Sequence, residues 1–183
     1  VGAVDSLSGD VQSIGANYGL NLYSAYQPQA QIGEIMGGLY QGGSVGINNV
    51  ESGNMGNYAR GSIGTIGGST QAVSTASYYG YGLQNAGTID SITNGRFEGS
   101  GAGLYAKDGL NGPKGHTGPI TGGTFFGNKA MKLGHVVKID PQLTDPVGTV
   151  LFLGLPLPNN NLSPIEASPD ILKASLPSDY VLS

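Results

Sequence analysis

The sequence predicts an all-β protein: a β-solenoid, similar to a parallel β-helix, of about five irregular rungs with a proline-rich C-terminal cap or arm. Three observations predict it. Glycine makes up 33 of the 183 residues, short blocks of β-branched or aromatic residues recur along the chain, and no segment carries the apolar stripe of an amphipathic helix. Glycine at this density also makes a helix costly, at about 1 kcal/mol for each glycine.

Each copy of the repeat opens with two residues, mostly apolar, that stand three positions apart. The five pairs are Val11 and Ile14, Ile32 and Ile35, Ile63 and Ile66, Ile89 and Ile92, and Thr117 and Ile120. The residues between them are small or polar, and glycine, asparagine or aspartate stands nearby. Such blocks are typical of short strands that end at tight turns.

A third block closes each copy, and in the last four copies a second block stands between it and the opening pair. The second block, a small pair followed by a larger residue, occupies residues 37–40, 67–70, 94–97 and 122–125. The third block occupies residues 19–22, 46–50, 82–85, 103–106 and 130–133. We expect like blocks to stack on like blocks and to bury one apolar column, with glycine and asparagine at the corners where φ is positive. A β-sandwich of irregular hairpins is the alternative, favoured by pairs such as Asn94-Gly95.

One stretch resembles a known class of repeats. Residues 82–95 read Gly-Leu-Gln-Asn-Ala-Gly-Thr-Ile-Asp-Ser-Ile-Thr-Asn-Gly, and residues 46–49 and 62–66 carry parts of the same pattern. This pattern resembles the glycine- and asparagine-rich β-solenoid repeats of autotransporter-type and filamentous adhesin passengers. Similar low-complexity repeats occur in phage tail fibres and spikes. The resemblance implies a secreted β-solenoid that presents loops to surfaces.

Glycine and proline divide the chain into two zones. Residues 1–140 hold 31 of the 33 glycines, and residues 141–183 hold seven of the ten prolines. We therefore predict a repeat domain at 1–140 and an extension at 141–183, which either caps its own solenoid or reaches a neighbouring subunit. Ser168, followed by a proline and an aspartate, predicts a short helix that ends at Leu176.

The extension contains a markedly apolar run that must be buried somewhere. A stack of about five rungs offers little surface on which to bury it, so the run favours self-association. We predict that the run forms a subunit-joining arm, and its residues are Val150, Leu151, Phe152, Leu153 and Leu155.

Aromatic residues are the second set of candidate contacts. Tyr78, Tyr79 and Tyr81 fall within four positions on a predicted loop or strand edge, where tyrosine can stack on sugars or pack at an interface. The other aromatics of interest share one repeat position, which predicts a stack in the core. They are Tyr40, Phe97 and Phe125.

No motif predicts a catalytic, cofactor or metal site. Ser44 lies in a Gly-x-Ser-x-Gly string, but no helix follows it, as a hydrolase elbow requires. His116, in a predicted surface turn, and His135 lack a clear third metal ligand. Glu34 and Asp90 occupy different positions of their strands, so they project to opposite faces and do not form a carboxylate pair.

Composition excludes several further classes. The net charge is −4 and there is no basic cluster, so a nucleic-acid partner is not expected. The longest apolar stretch, residues 147–157, is too short to span a bilayer, and the lack of cysteine excludes disulfides.

The sequence predicts an extracellular or cell-surface structural protein without enzymatic activity. We expect it to assemble with itself into a fibre or surface array, and the resemblance adds adhesion as a candidate role. One alternative is a viral tail-fibre or tailspike segment that binds a host surface glycan. The other is a polysaccharide-cleaving β-helix enzyme.

Overall fold

The computed structural model describes residues 3–23, 30–52, 59–108, 115–140 and 165–176. These residues form mostly strands, with one short helix, α1 (Pro169–Ser175). The first nine strands are β1 (Ala3–Leu7), β2 (Gln12–Gly15), β3 (Tyr18–Leu22), β4 (Gln31–Ile35), β5 (Leu39–Gly42), β6 (Val45–Asn49), β7 (Glu51–Ser52), β8 (Ala59–Arg60) and β9 (Ser62–Ile66). The remaining ten are β10 (Gln71–Ser74), β11 (Tyr81–Asn85), β12 (Thr88–Ile92), β13 (Arg96–Glu98), β14 (Ala102–Ala106), β15 (His116–Ile120), β16 (Thr124–Phe126), β17 (Lys129–Leu133), β18 (Val137–Ile139) and β19 (Ile165–Ala167).

The strands form three parallel sheets. The first sheet has the order β1-β4-β9-β12-β15-β18, the second β2-β5-β10-β13-β16, and the third β3-β6-β11-β14-β17-β19. The chain passes from the first sheet to the second, then to the third, and returns to the first. We call one round through the sheets a passage. The predicted all-β fold is confirmed. The hairpin alternative is wrong for these sheets, because β7 and β8 form the one antiparallel pair among the described strands.

Isoleucines lie on isoleucines in the first sheet. Ile32, Ile63 and Ile89 are in register on successive strands, and all three are buried. The other end of the block forms a second buried column, made of Ile35, Ile66, Ile92, Ile120 and Ile139. The predicted stacking is therefore confirmed for four of the five opening pairs, those that begin at Ile32, Ile63, Ile89 and Thr117.

The third blocks stack as predicted. Their apolar residues are in register on neighbouring strands of the third sheet and continue into β19. This column is Leu20, Ile47, Leu83, Leu104, Met131 and Ile165. It joins the isoleucine columns in a single hydrophobic core.

The first opening pair was predicted at the wrong place. Val4 and Leu7, not Val11 and Ile14, lie in the first-sheet columns, in register with Ile32 and Ile35. Ile14 belongs to β2 of the second sheet and is 68% exposed. Both pairs have the same spacing, so spacing alone does not separate them; the corner at Gly9 places Val11 directly before β2 of the second sheet.

One second block was also predicted out of register. Leu39 of β5 pairs with Gln71, two residues beyond the Ser69 that the block alignment implied. The corner before β10 is longer because the Thr70 hydroxyl lies inside it, donating to the Gly67 carbonyl at 2.7 Å. The buried Thr70 side chain therefore belongs to the corner and not to the strand.

The corner between the first and second sheets has positive φ in each of the five passages in which the structure describes that corner. Five glycines supply it, with φ from +59° to +125°. The prediction of positive φ at the corners is confirmed for glycine but not for asparagine, which has no positive φ among the described residues; the glycines are Gly9, Gly38, Gly68, Gly95 and Gly123.

The three aromatics predicted to share a core position do so. Phe97 and Phe125 are in register and stacked, with ring centroids 5.0 Å apart. Tyr40 lies in the same column, but Ala72 separates it from Phe97. All four side chains are buried.

Part of the predicted extension packs on the repeat zone. β19 pairs with β17, and α1 contacts β18 and β19. The helix predicted after Ser168 is confirmed, although the Ser168 side chain makes no capping hydrogen bond. Residues 141–164 and 177–183 are outside the described residues, and so are the predicted arm residues, Val150, Leu151, Phe152, Leu153 and Leu155. The helix in the described part of the chain does not reach the length or hydropathy needed to cross a membrane.

Candidate functional site

The tyrosine cluster lies beside the outer surface of the third sheet. Tyr78 and Tyr79 precede β11 and are 84% and 82% exposed. Tyr79 has a φ of +55°, which is unusual for a residue with a side chain. The Gly80 N–H donates to the Ser100 hydroxyl at 3.0 Å and ties this loop to the next passage. The chain therefore holds two tyrosine rings in solvent on an anchored loop.

The third predicted tyrosine, Tyr81, makes a different set of contacts. It is half-buried on β11, and its ring centroid lies 4.8 Å from that of Tyr105 on β14, with the planes tilted by 42°. Burial raises the pKa of Tyr81, and the positive charge of Lys132 opposes that rise. The Lys132 ammonium also lies 5.0 Å from the Tyr105 centroid, in cation–π range.

A line of polar side chains continues from these rings along the third sheet. We call it the polar column, and its register positions are Asn21, Asn48, Gln84, Tyr105, Lys132 and Glu166. The Asn48 amide donates to Asn21 Oδ1 at 2.9 Å, and the Gln84 amide donates to Asn48 Oδ1 at 3.1 Å. At the other end, Lys132 Nζ lies 3.6 Å from Glu166 Oε1.

Sequence reasoning missed this column, although the third blocks contained its signal. In each block the residue after the apolar core position is polar or aromatic, and parallel register puts those residues side by side. The resulting surface combines aromatic rings, amides and one ion pair. It can stack on a ring or an apolar group and exchange hydrogen bonds beside it, which is the chemistry of binding.

Ser44 lies in the turn between β5 and β6 and is exposed. A strand follows it, as expected from the sequence, so the Gly-x-Ser-x-Gly string does not form the strand-to-helix elbow of a hydrolase. Its surroundings are those of a surface turn.

The two histidines have different environments. His116 is exposed, but it begins strand β15 and does not lie in the predicted turn. His135 is buried, with Nε2 2.8 Å from the Thr117 hydroxyl and Nδ1 3.2 Å from the Lys107 carbonyl. Because the carbonyl can only accept, this geometry assigns the proton of a neutral ring to Nδ1.

His135 ends a chain of buried polar groups that we call the corner chain: Asn49, Asn85, Thr117 and His135. The Asn49 amide donates to Asn85 Oδ1 at 2.9 Å, and the Asn85 amide donates to the Thr117 hydroxyl at 2.8 Å. With the ring neutral and its proton on Nδ1, the Thr117 hydroxyl donates to His135 Nε2, and every donor then points the same way along the chain. These partners make His135 a structural residue of the interior.

The carboxylates do not converge. Glu34 is in register with Thr65, and Thr65 with Ser91, so Asp90 belongs to a neighbouring column. Both acids are exposed, and Glu98 is paired with Arg96 at 3.0 Å. Within the described ranges no three histidine, cysteine, aspartate or glutamate side chains are grouped closely enough to hold a metal ion.

Comparison of the chain with protein-family models, with curated proteins and with solved structures found no match.

Proposed function

We propose that the protein is an extracellular structural protein without enzymatic activity, built as a β-solenoid that assembles with itself into a fibre or surface array. The observation that carries the proposal is the cyclic order of the strands. The second sheet contributes five strands, so the order first, second, third sheet is completed five times in the described residues. Columns of like residues run through all of these passages. A continuous stack of this kind resists unfolding along its length.

The ends of the stack support self-assembly. β1, β2 and β3 each have a strand partner on one side only among the described strands. The edge of a strand presents N–H and C=O groups that can pair with another chain. Val4, at 43% exposure, and Tyr18, at 40%, add apolar surface at this end.

Electron microscopy of the purified chain tests the proposal. We expect negatively stained samples to contain polymers whose number and length increase with protein concentration. Particles that stay monomeric at every concentration that can be reached, in the wild type and in folded variants with an altered stack end, would contradict self-assembly.

A role without enzymatic activity is supported by the positions of the acidic residues. Cleavage of a glycosidic bond uses two carboxyl groups about 5–9.5 Å apart on the two sides of the bond. Glu34 and Asp90 stand on different columns with a strand between β4 and β12, so their positions do not supply such a pair. Release of reducing sugar from a polysaccharide, abolished by Asp90→Asn or Glu34→Gln, would contradict this part of the proposal.

The exposed tyrosines favour a second candidate function, binding of a host surface glycan by a viral tail-fibre or tailspike segment. Tyr78 and Tyr79 offer two ring faces to solvent on the loop that leads into β11, the strand that carries Gln84 of the polar column. A glycan array tests this candidate with the wild-type chain, the double variant Tyr78→Ser and Tyr79→Ser, and Tyr23→Ser as a control. Tyr23 is also an exposed tyrosine, but it lies at the far end of the third sheet. Binding by the control and loss of binding by the double variant would support this candidate; no binding by the wild-type chain would contradict it.

A further inference from the structure

The helix α1 covers one end of the stack. The described strands that end the first and third sheets there are β18 and β19, and α1 contacts both. Ile171 and Leu172 of the helix pack against the hydrophobic core, and Leu176 just beyond the helix is buried. The first passage, at the opposite end, has no helix among its described residues.

The helix supplies a partner for one backbone N–H on the edge of β18 that faces away from β15. The Asp140 N–H donates to the Ile120 carbonyl of β15 at 2.9 Å. Because successive N–H groups of a strand alternate in direction, the Val137 N–H points the other way, toward the outer edge. There it donates to the buried Ser175 hydroxyl at 3.1 Å. A side chain thus occupies a position where a further strand would supply a carbonyl.

Lys138 makes the second polar contact between β18 and the helix. Its ammonium donates to the Ala174 carbonyl at 2.7 Å, near the C-terminal end of α1. Lys138 is exposed, so its ammonium can readily exchange the neutral Ala174 carbonyl for a carboxylate.

The first passage has the complementary chemistry. Asp5 is exposed on β1, and residues 3–23 contain two acidic residues and no lysine or arginine. A strand laid on β1 in the register of the sheet would meet Val4 and Leu7, the positions that pair with isoleucines inside the stack. β18 offers Val137 and Ile139 in the same two columns, with a register shift between them, because one residue, Lys138, separates them where two residues separate Val4 and Leu7.

The third sheet shows the same match. β19 presents Ile165, Glu166 and Ala167, which occupy the columns of Leu20, Asn21 and Leu22 of β3. Each end of the stack includes one strand of the first sheet and one strand of the third sheet. The two strands at one end can therefore pair with the two strands at the other end of a second copy. The acidic first passage also disfavours joining two copies by their like ends, since that would bring Asp5 and Asp10 toward their own copies.

We infer that α1 is a displaceable cap, and that its removal lets the last passage of one copy pair in parallel with the first passage of a second copy. This inference rests on the proposed self-assembly and specifies its route: β18 against β1 and β19 against β3, with Lys138 of one copy beside Asp5 of the next. While α1 is bound to the end of the stack, Ser175 and the helix occupy the outer edge of β18, where the second copy would pair. Head-to-tail joining of this kind repeats without closing and produces a filament.

The first experiment unseats the helix in the full chain. Leu172→Asp places a carboxylate against the core, whereas Ser168→Asp adds the same charge at the exposed position just before the helix. We expect sedimentation velocity and negative stain to show polymers of Leu172→Asp at a protein concentration at least about tenfold below that of the wild type. We expect Ser168→Asp to behave as the wild type. If circular dichroism shows that Leu172→Asp is unfolded, Ser175→Ala replaces it, because that change removes only the acceptor for the Val137 N–H.

The second experiment tests the route by exchange of charges. In the unseated background, Asp5→Lys places two positive charges together and should raise the polymerisation concentration again; adding Lys138→Asp should restore assembly. Assembly that is indifferent to α1 and to both charge changes would overturn the inference and leave self-assembly standing. No polymer from the wild type or from any folded variant would overturn the inference and the proposed function together.

Discussion

Single side chains inside the stack form hydrogen bonds with backbone groups that are buried at a corner. Where the third sheet ends and the first begins, polar backbone groups turn inward, away from water. Asn85 meets several of them: its amide reaches the His116 carbonyl at 2.8 Å, and its carbonyl accepts from the Gly87 N–H at 3.1 Å. The corner chain therefore replaces water in a place that the core closes off.

Asn85→Ala should reduce the free energy of unfolding by about 3 kcal/mol, because it leaves buried partners, among them the Thr117 hydroxyl, without Asn85. Urea unfolding followed by circular dichroism measures the change. Asn94→Ala, at an exposed turn position, is the control and should stay within about 0.5 kcal/mol of the wild type. Equal effects of the two substitutions would contradict the role assigned to the corner chain.

The buried hydroxyl of Tyr40 makes the free energy of unfolding depend on pH in alkaline solution. Its hydroxyl donates to the Gly37 carbonyl at 3.1 Å, and burial raises its pKa above the ordinary value of 10.0. The unfolded chain therefore releases this proton at a lower pH than the folded chain. The contribution of Tyr40 to stability is complete below about pH 10 and is lost as the pH rises through the folded-state pKa.

We predict that Tyr40→Phe loses about 1 kcal/mol of unfolding free energy at pH 7, where the hydrogen bond is removed. Between pH 9 and pH 11, the variant should lose less stability than the wild type does, since phenylalanine has no proton to release. Urea unfolding at the two ends of this range gives both values. A variant that parallels the wild type throughout would show that Tyr40 does not contribute to the alkaline loss.

Strands differ in how far the sequence specifies their place. The third blocks could be aligned from the sequence because each has a large apolar residue directly followed by a polar or aromatic one, and this order allows one register. The opening pair of the first copy could not. Val4 with Leu7 and Val11 with Ile14 have equal spacing, and the corner at Gly9 that separates them has no distinctive sequence.

The two isoleucines that the spacing treated alike should respond differently to truncation. Ile89 is fully buried in the first-sheet column, whereas Ile14 is 68% exposed on β2. Ile89→Ala should cost about 2–5 kcal/mol through lost burial and a cavity, and Ile14→Ala should cost less than about 1 kcal/mol. Thermal or urea unfolding of the two variants checks the register. A larger loss of stability for Ile14→Ala would contradict this register and favour Val11 and Ile14 as the first opening pair.

At the scale of the whole molecule, the candidate binding surface depends on stacking more than on any local motif. The exposure of Tyr78 and Tyr79 could be predicted, because three tyrosines within four positions, interrupted by Gly80, indicate a loop or strand edge. The contacts of Tyr81 with Tyr105, and of Tyr105 with Lys132, could not. They join residues from successive passages, and the sequence separation of such partners varies with the length of each corner.

The two ends of the molecule were the least predictable feature. A proline-rich extension predicts either a cap or an arm, and composition does not distinguish them. The described part of the extension contacts the last passage through α1, while the predicted arm lies outside the described residues. Hydrogen bonds such as that between the Val137 N–H and the Ser175 hydroxyl decide which strand edges are covered. No pattern in the sequence predicts them.

Disulfide formation between introduced cysteines tests the stacking of passages most directly, because the chain has no cysteine of its own. Thr65 and Ser91 are in register on neighbouring strands of the first sheet, with their hydroxyl oxygens 3.1 Å apart. We predict that Thr65→Cys with Ser91→Cys forms an intramolecular disulfide under mild oxidation. Ser6→Cys with Ser91→Cys, on the same column but with β4 and β9 between them, should stay reduced. A crosslink in the second pair, or its absence in the first, would contradict the parallel stack.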